Sequence, residues 1–195
     1  MRRARPAFTL VEALVAIAFA AMAGSALLLS TTSAVQTTVT SQEQIVGLAV
    51  AQQLMDEILG NAYVNNAGSA YGSPIVPDRG VVSGVSRQNF NNIGDFNGYT
   101  CQPPTDPWGI ALGQDDGAGG KRNPNFQAPV GLMTNWQQQV SVYYVSATNL
   151  TAALPGGQTS DYRAVEVRVN CVYPNGSTRQ LAMVRRVIAY VPPLQ

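Results

Sequence analysis

An apolar run from Phe8 to Leu29 stands directly behind Arg2, Arg3, Arg5 and Pro6, and it carries one ionisable side chain, Glu12, near its start. As a helix its 22 residues span about 33 Å, the thickness of a bilayer core. A basic lead before such a run is ordinary for a chain sent to a membrane. The carboxylate is not. On insertion scales an ionisable group at the centre of a membrane helix costs about 2.5–3.5 kcal/mol, so it needs a partner or a task.

The helical pattern does not end with the apolar run. Thr31 to Thr40 is polar and weakly helical by itself, which leaves two readings, one long helix or two with a break there. Ile45, Leu48, Gln52, Met55 and Leu59 then recur at 3-4-3-4 spacing, with Ala49, Ala51, Leu54 and Ile58 widening the stripe. Gly60-Asn61 is the expected stop. Residues 60 to 135 hold 13 of the 18 glycines and 7 of the 12 prolines, so long regular elements are not expected there beyond a short strand at Val81–Val85. From Trp136 the period changes to two. Trp136, Gln138, Val140, Val142 and Tyr144 alternate with their neighbours, and Val165, Val167, Val169 and Cys171 line one face of a second strand, with Glu166, Arg168 and Asn170 on the other.

Asn175-Gly176 predicts a two-residue type I′ hairpin returning through Thr178 to Val191. In that register Cys171 faces Gln180, Val169 faces Ala182, Val167 faces Val184 and Glu166 faces Arg185, the last an opposite-charge pair. Arg186 would share a face with Val165, and a bulge is expected at that end. A helix followed by hairpin-linked strands predicts an α+β fold, the helix packed on a C-terminal antiparallel sheet.

Composition excludes several classes of function. Only 12% of the 195 residues are charged, and the formal charge of +1 includes the three leading arginines. Without them nine basic residues face eleven acidic ones, a balance of −2. No clustered basic face for nucleic acid is in sight. Histidine is absent and Lys121 is the sole lysine, so no nucleophile–base pair suggests itself. The chain does not read as an enzyme, and no cofactor is expected. Cys101 and Cys171 are too few for a zinc site. They are candidates for a disulfide if the domain lies outside the cytoplasm, with two free buried thiols as the alternative.

Gly119-Gly120-Lys121 fails as a phosphate loop, since Asp115 stands where glycine is needed and Arg122 where serine or threonine is. Asp106, Asp115 and Asp116 sit among glycines and could supply oxygens to Ca²⁺, but solvated turns are the better reading, and no metal is expected. Trp108, Trp136, Tyr143 and Tyr144 read as core aromatics rather than a ligand face.

Ala7-Phe8-Thr9-Leu10-Val11-Glu12 resembles the processing site of type IV pilin-like proteins: a small residue, Phe, then Thr-Leu-Val/Ile-Glu. The usual glycine before the cut is Ala7 here. The resemblance implies that a prepilin peptidase cuts between Ala7 and Phe8 and N-methylates Phe8, and that Glu12 serves filament assembly by pairing with the terminal amine of a neighbour. It divides the chain into a leader (1–7), a transmembrane and assembly helix (8–30), an amphipathic helix (31–60) and a globular domain (61–195). Ala49 to Ile58 is similar to the helix of I-type minor pseudopilins of type II secretion, as is the Trp136 strand with its hairpin. The implied protein is a structural minor subunit of a pseudopilus or a type IV pilus. It is single-pass in the inner membrane with its domain in the periplasm, and its partners are other pilin-like subunits and the peptidase. The alternative is a soluble exported binding domain or enzyme whose conventional signal ends at Ala21-Met22-Ala23.

Overall fold

In a computed structural model of the protein, residues 9–65, 69–77 and 86–192 are described. One helix, α1, runs unbroken from Leu10 to Leu59. The polar stretch does not interrupt it, because its hydroxyls are bonded back to the helix itself. Thr31 and Thr32 donate to Leu28 O, Thr37 to Ser33 O and Thr38 to Ala34 O, at 2.8–3.0 Å. A hydroxyl held this way no longer competes for the backbone. Just past the end of the helix, the side-chain amide of Asn61 donates to Glu57 O at 2.8 Å. The chain divides into two units, Met1–Glu43 and Gln44–Gln195.

The second unit is the α+β domain. Four antiparallel strands lie in the order β1 (Thr100–Cys101), β2 (Trp136–Tyr144), β3 (Tyr162–Val172) and β4 (Thr178–Ala189). The C-terminal part of α1 packs on one sheet face, and the core joins Val50, Leu54, Met55 and Ile58 to Trp136, Val140, Val142, Val165, Val167, Val169 and Leu181. Apart from β1, the described residues between 60 and 135 form loops with two 3-10 turns, Ile93–Phe96 and Pro124–Phe126. The first of these turns seats Phe96 under the sheet edge, with Phe90 edge-on to it at 4.8 Å. The strand expected at Val81–Val85 lies outside the described residues. Trp136 and Tyr144 are core aromatics as expected, whereas Trp108 is 64% exposed.

The apolar stripe of α1 is turned from the expected one. Ile45, Leu48, Gln52 and Leu59 are exposed, and the buried set is Gly47, Val50, Ala51, Leu54, Met55 and Ile58. Side-chain size decides the face. A Cβ added at Gly47 would stand 2.9 Å from the Leu181 Cβ, so the helix comes this close to β4 only where a glycine faces it. The buried stripe joins the small Gly47 and Ala51 to the large Val50, Leu54, Met55 and Ile58, and leaves Ile45, Leu48 and Leu59 outside.

The hairpin joining β3 and β4 differs from expectation at its turn and agrees along its length. Tyr173 N–H donates to Ser177 O at 2.8 Å and Gly176 N–H to Tyr173 O at 2.9 Å, which closes a three-residue loop over Pro174, Asn175 and Gly176. Gly176 has φ +80° and no residue other than glycine has a positive φ, so a type I′ turn is absent among the described residues. Proline is the reason. In the two-residue turn Pro174 would have to donate an N–H that it lacks, so the closing pair moves back to Tyr173. Proline then occupies the second position of a type I turn, with glycine supplying the left-handed residue after it.

That shift pairs Cys171 with Arg179 and not with Gln180. A bulge between Val169 and Asn170 inserts Leu181 and restores the expected register, with Val169 opposite Ala182, Val167 opposite Val184 and Glu166 opposite Arg185. The bulge therefore falls near the turn and not at the Val165–Arg186 end. It also puts Leu181 and Ala182 both in the core, beneath Gly47. Glu166 and Arg185 are neighbours without being an ion pair. Glu166 pairs with Arg168, while Arg185 donates to Tyr143 Oη at 3.0 Å and to the Leu150 carbonyl.

Gly47→Val should destabilise the domain by about 1–3 kcal/mol through overpacking against Leu181, a fall of about 2–4 °C in Tm for each kcal/mol. Thermal melting followed by circular dichroism checks it, and an unchanged Tm would show that the helix–sheet spacing is not set at this contact.

Candidate functional site

The helix opens on a reciprocal pair. Thr9 stands just before α1, and its Oγ1 accepts the Glu12 N–H at 3.3 Å. Glu12 Oε2 in turn accepts the Thr9 N–H at 3.0 Å and the Thr9 hydroxyl at 2.9 Å. This is the capping box, in which two otherwise unpaired donors at a helix start are satisfied by each other's side chains. The pattern is written in the sequence as Thr-x-x-Glu, four residues inside the pilin-like motif. Ala7 and Phe8, the expected cleavage and methylation residues, lie outside the described residues. Behind Glu12 the helix is apolar and uncovered. Residues 10 to 43 are exposed apart from Gly24 and Glu43, which are half-buried. By length and composition α1 can cross a membrane, and none of its most apolar window is buried within the protein.

The two cysteines are not joined. Cys101 is a buried free thiol on β1, bonded to Pro103 O at 3.1 Å, and Cys171 is a half-buried free thiol on β3. They share a sheet face, but β2 runs between their strands, with Gln138 opposite both Cys101 and Val169. Strands two apart are separated by about 9.5 Å, beyond the 4.4–6.8 Å between Cα atoms that a disulfide spans. The structure thus holds the free-thiol alternative.

The aspartates of the glycine-rich region are turn acceptors. Asp106 Oδ1 takes the N–H groups of Trp108 and Ile110 at 3.0 and 2.9 Å. Asp116 Oδ1 takes those of Ala118 and Gly120, both at 2.8 Å. Asp115 Oδ1 accepts from the Arg122 N–H at 2.8 Å and from the Gln127 amide at 3.1 Å. Asp106 and Asp116 each close a local turn, and Asp115 ties Arg122 and Gln127 together across the loop.

What fastens the loops to the helix is a residue that no motif singles out. Arg87, 4% exposed, forks onto Glu57 of α1 with Nε–Oε1 at 2.8 Å and Nη2–Oε2 at 2.7 Å. It also donates to Tyr99 Oη at 2.7 Å and to the Thr105 carbonyl at 3.1 Å. Its three partners, Glu57, Tyr99 and Thr105, lie 30, 12 and 18 residues away along the chain, so no local spacing could have announced it.

No protein-family model, no curated protein and no solved structure matches the chain. In outline the architecture is pilin-like: one long N-terminal helix, apolar at its head, with its C-terminal part packed on an antiparallel sheet.

Glu57→Ala should cost about 3 kcal/mol, since it strands the buried Arg87 guanidinium, while Glu57→Ala with Arg87→Met should cost less than the single change. Denaturant unfolding of the two variants checks the order, and equal losses would mean that the pair does not act as a unit.

Proposed function

We propose that the chain is a structural subunit of a membrane-rooted filament, a minor pilin-like protein of a type II secretion pseudopilus or a type IV pilus. It is not an enzyme. The observation that carries this reading is the uncovered apolar helix with one carboxylate at its head. Apolar surface on this scale demands lipid or neighbouring helices. An acid within it demands a counter-charge. Cutting between Ala7 and Phe8 supplies one, because it removes the basic lead and leaves the Phe8 amine at the bilayer edge. Glu12 of one subunit then pairs with the terminal amine of the next, which offsets the buried charge and sets the axial step between subunits. The protein is anchored by a single helix in the inner membrane with its domain in the periplasm, and its partners are other pilin-like subunits and a prepilin peptidase.

Processing is tested by the intact mass of protein extracted from membranes. The expected mature chain begins at methylated Phe8. A chain beginning at Gly24 would identify an ordinary secretory signal and refute the filament reading.

The capping box gives a sharper test of Glu12. Glutamine serves at this box position as glutamate does, so Glu12→Gln keeps the cap and removes only the charge. Glu12→Ala removes both. If the charge pairs with a neighbour's amine, both variants are exported and cut but co-purify poorly with other subunits. Wild-type incorporation of Glu12→Gln alongside failure of Glu12→Ala would reduce Glu12 to a helix cap.

A further inference from the structure

The 50 residues of α1 include no Lys, Arg, Trp or Tyr. Those are the side chains that hold the end of a membrane helix at the level of the lipid headgroups. After Glu12 the next ionisable group is Glu43, so the 30 residues from Ala13 to Gln42 carry no charge. As helix they span about 45 Å, against about 30 Å of hydrocarbon in a typical bilayer. No side chain along them pins the outer surface of the membrane to one level.

The residues at that surface suit a shifting level. Ser30 to Gln42 are exposed and belong to one uninterrupted helix. The strictly apolar run ends at Leu29, and Ser30, Thr31, Thr32, Ser33, Ala34 and Val35 follow it. Thr31 and Thr32 both donate to Leu28 O, at 3.0 and 2.8 Å. A hydroxyl whose hydrogen is already bonded within the helix loses little on leaving water. Gln36 is different in kind, because its amide brings two donors and an acceptor out of water together.

We propose that α1 has a movable outer boundary: residues 30–35 enter the hydrocarbon of a thick bilayer and stand outside that of a thin one. Their partner is lipid. The slack is six residues, about 9 Å of helix, with Leu29 at its inner limit and Gln36 at its outer one. A span with fixed anchors answers thicker lipid by thinning it or by oligomerising. This one draws in its own next turns, which keeps Glu12 at one depth on the inner side while the membrane varies. The inference rests on the membrane anchor of the filament reading and adds where that anchor ends.

The test uses the full chain with Cys101→Ser and Cys171→Ser, carrying a nitrobenzoxadiazole label on a cysteine introduced by Val35→Cys or Val39→Cys. These positions lie about one turn apart with Gln36 between them. The protein is reconstituted into phosphatidylcholine vesicles with myristoleoyl, oleoyl or erucoyl chains, in order of thickness. From the thinnest to the thickest, iodide quenching at position 35 should fall severalfold and its emission should move to the blue. Position 39 should stay open to iodide throughout. Thr31→Lys sets a charged anchor inside the slack, and with it position 35 should stay open in all three lipids.

Equal quenching at position 35 in every lipid, positions 35 and 39 shifting together, or no effect of Thr31→Lys would overturn the proposal. A label at Leu14→Cys separates this failure from that of the anchor itself. It should be shielded in all three lipids, and a Leu14→Cys label open to iodide, or a chain that does not float with the vesicles, would refute the membrane reading as well.

Discussion

The domain rests on how closely α1 can approach the sheet. β2 and β3 turn Trp136, Val140, Val142, Val165, Val167 and Val169 to one side, and without a cover that face would be an exposed apolar surface. The cover is a single helix, so its contact line decides everything placed around it. At Gly47 the line touches β4 through Leu181, a residue that reaches the core only because the bulge after Ala182's pairing with Val169 sets it there. Helix face, bulge and turn are therefore one solution. Pro174 displaces the turn by one residue, the bulge takes the displacement back, and the residue it adds meets the glycine of the helix.

This coupling explains what was legible in the sequence. Strand identity and the register from Glu166 to Val169 could be read, because period-two burial allows no slip without turning valines to solvent. The helix could be read too, and its continuity through Thr31–Thr40 follows from hydroxyls that bond to their own helix. The buried face of α1 could not be read from hydrophobicity alone, because Ile45, Leu48 and Leu59 are as apolar as Val50, Leu54 and Ile58. Steric fit at Gly47 chose between them. The turn was misread for a related reason. Asn175-Gly176 is a strong local signal, but the donor missing at Pro174 outweighs it.

The glycine- and proline-rich loops illustrate a different limit. Regular structure satisfies its own backbone, whereas loops laid over a core must find partners elsewhere. Here two arginines supply them. Arg87 gathers Glu57, Tyr99 and Thr105, and Arg163 gathers the carbonyls of Tyr63 and Ala70. The parity of Arg163 with Val165 does place it on the core side of β3, so an inward arginine was deducible. Its partners, about 100 residues away, were not. The two hubs also differ in charge. Arg87 has its carboxylate, whereas Arg163 is held by neutral groups among the described residues.

The head of α1 is where local physics and the proposed role meet. A lone carboxylate entering lipid would be protonated or expelled unless something holds it. The capping box lets the chain hold it by itself, with the Thr9 N–H and hydroxyl both on Oε2. A cut before Phe8 would leave Thr9 with an intact N–H, so the box would survive processing. Glu12 would then wait in the bilayer with one oxygen satisfied within its own subunit and the other, Oε1, without a partner among the described residues. On the proposed reading the motif needs threonine at this position for that reason. Thr9 lowers the cost of storing the charge before assembly, and the neighbour's amine has only to complete a site that is already half built.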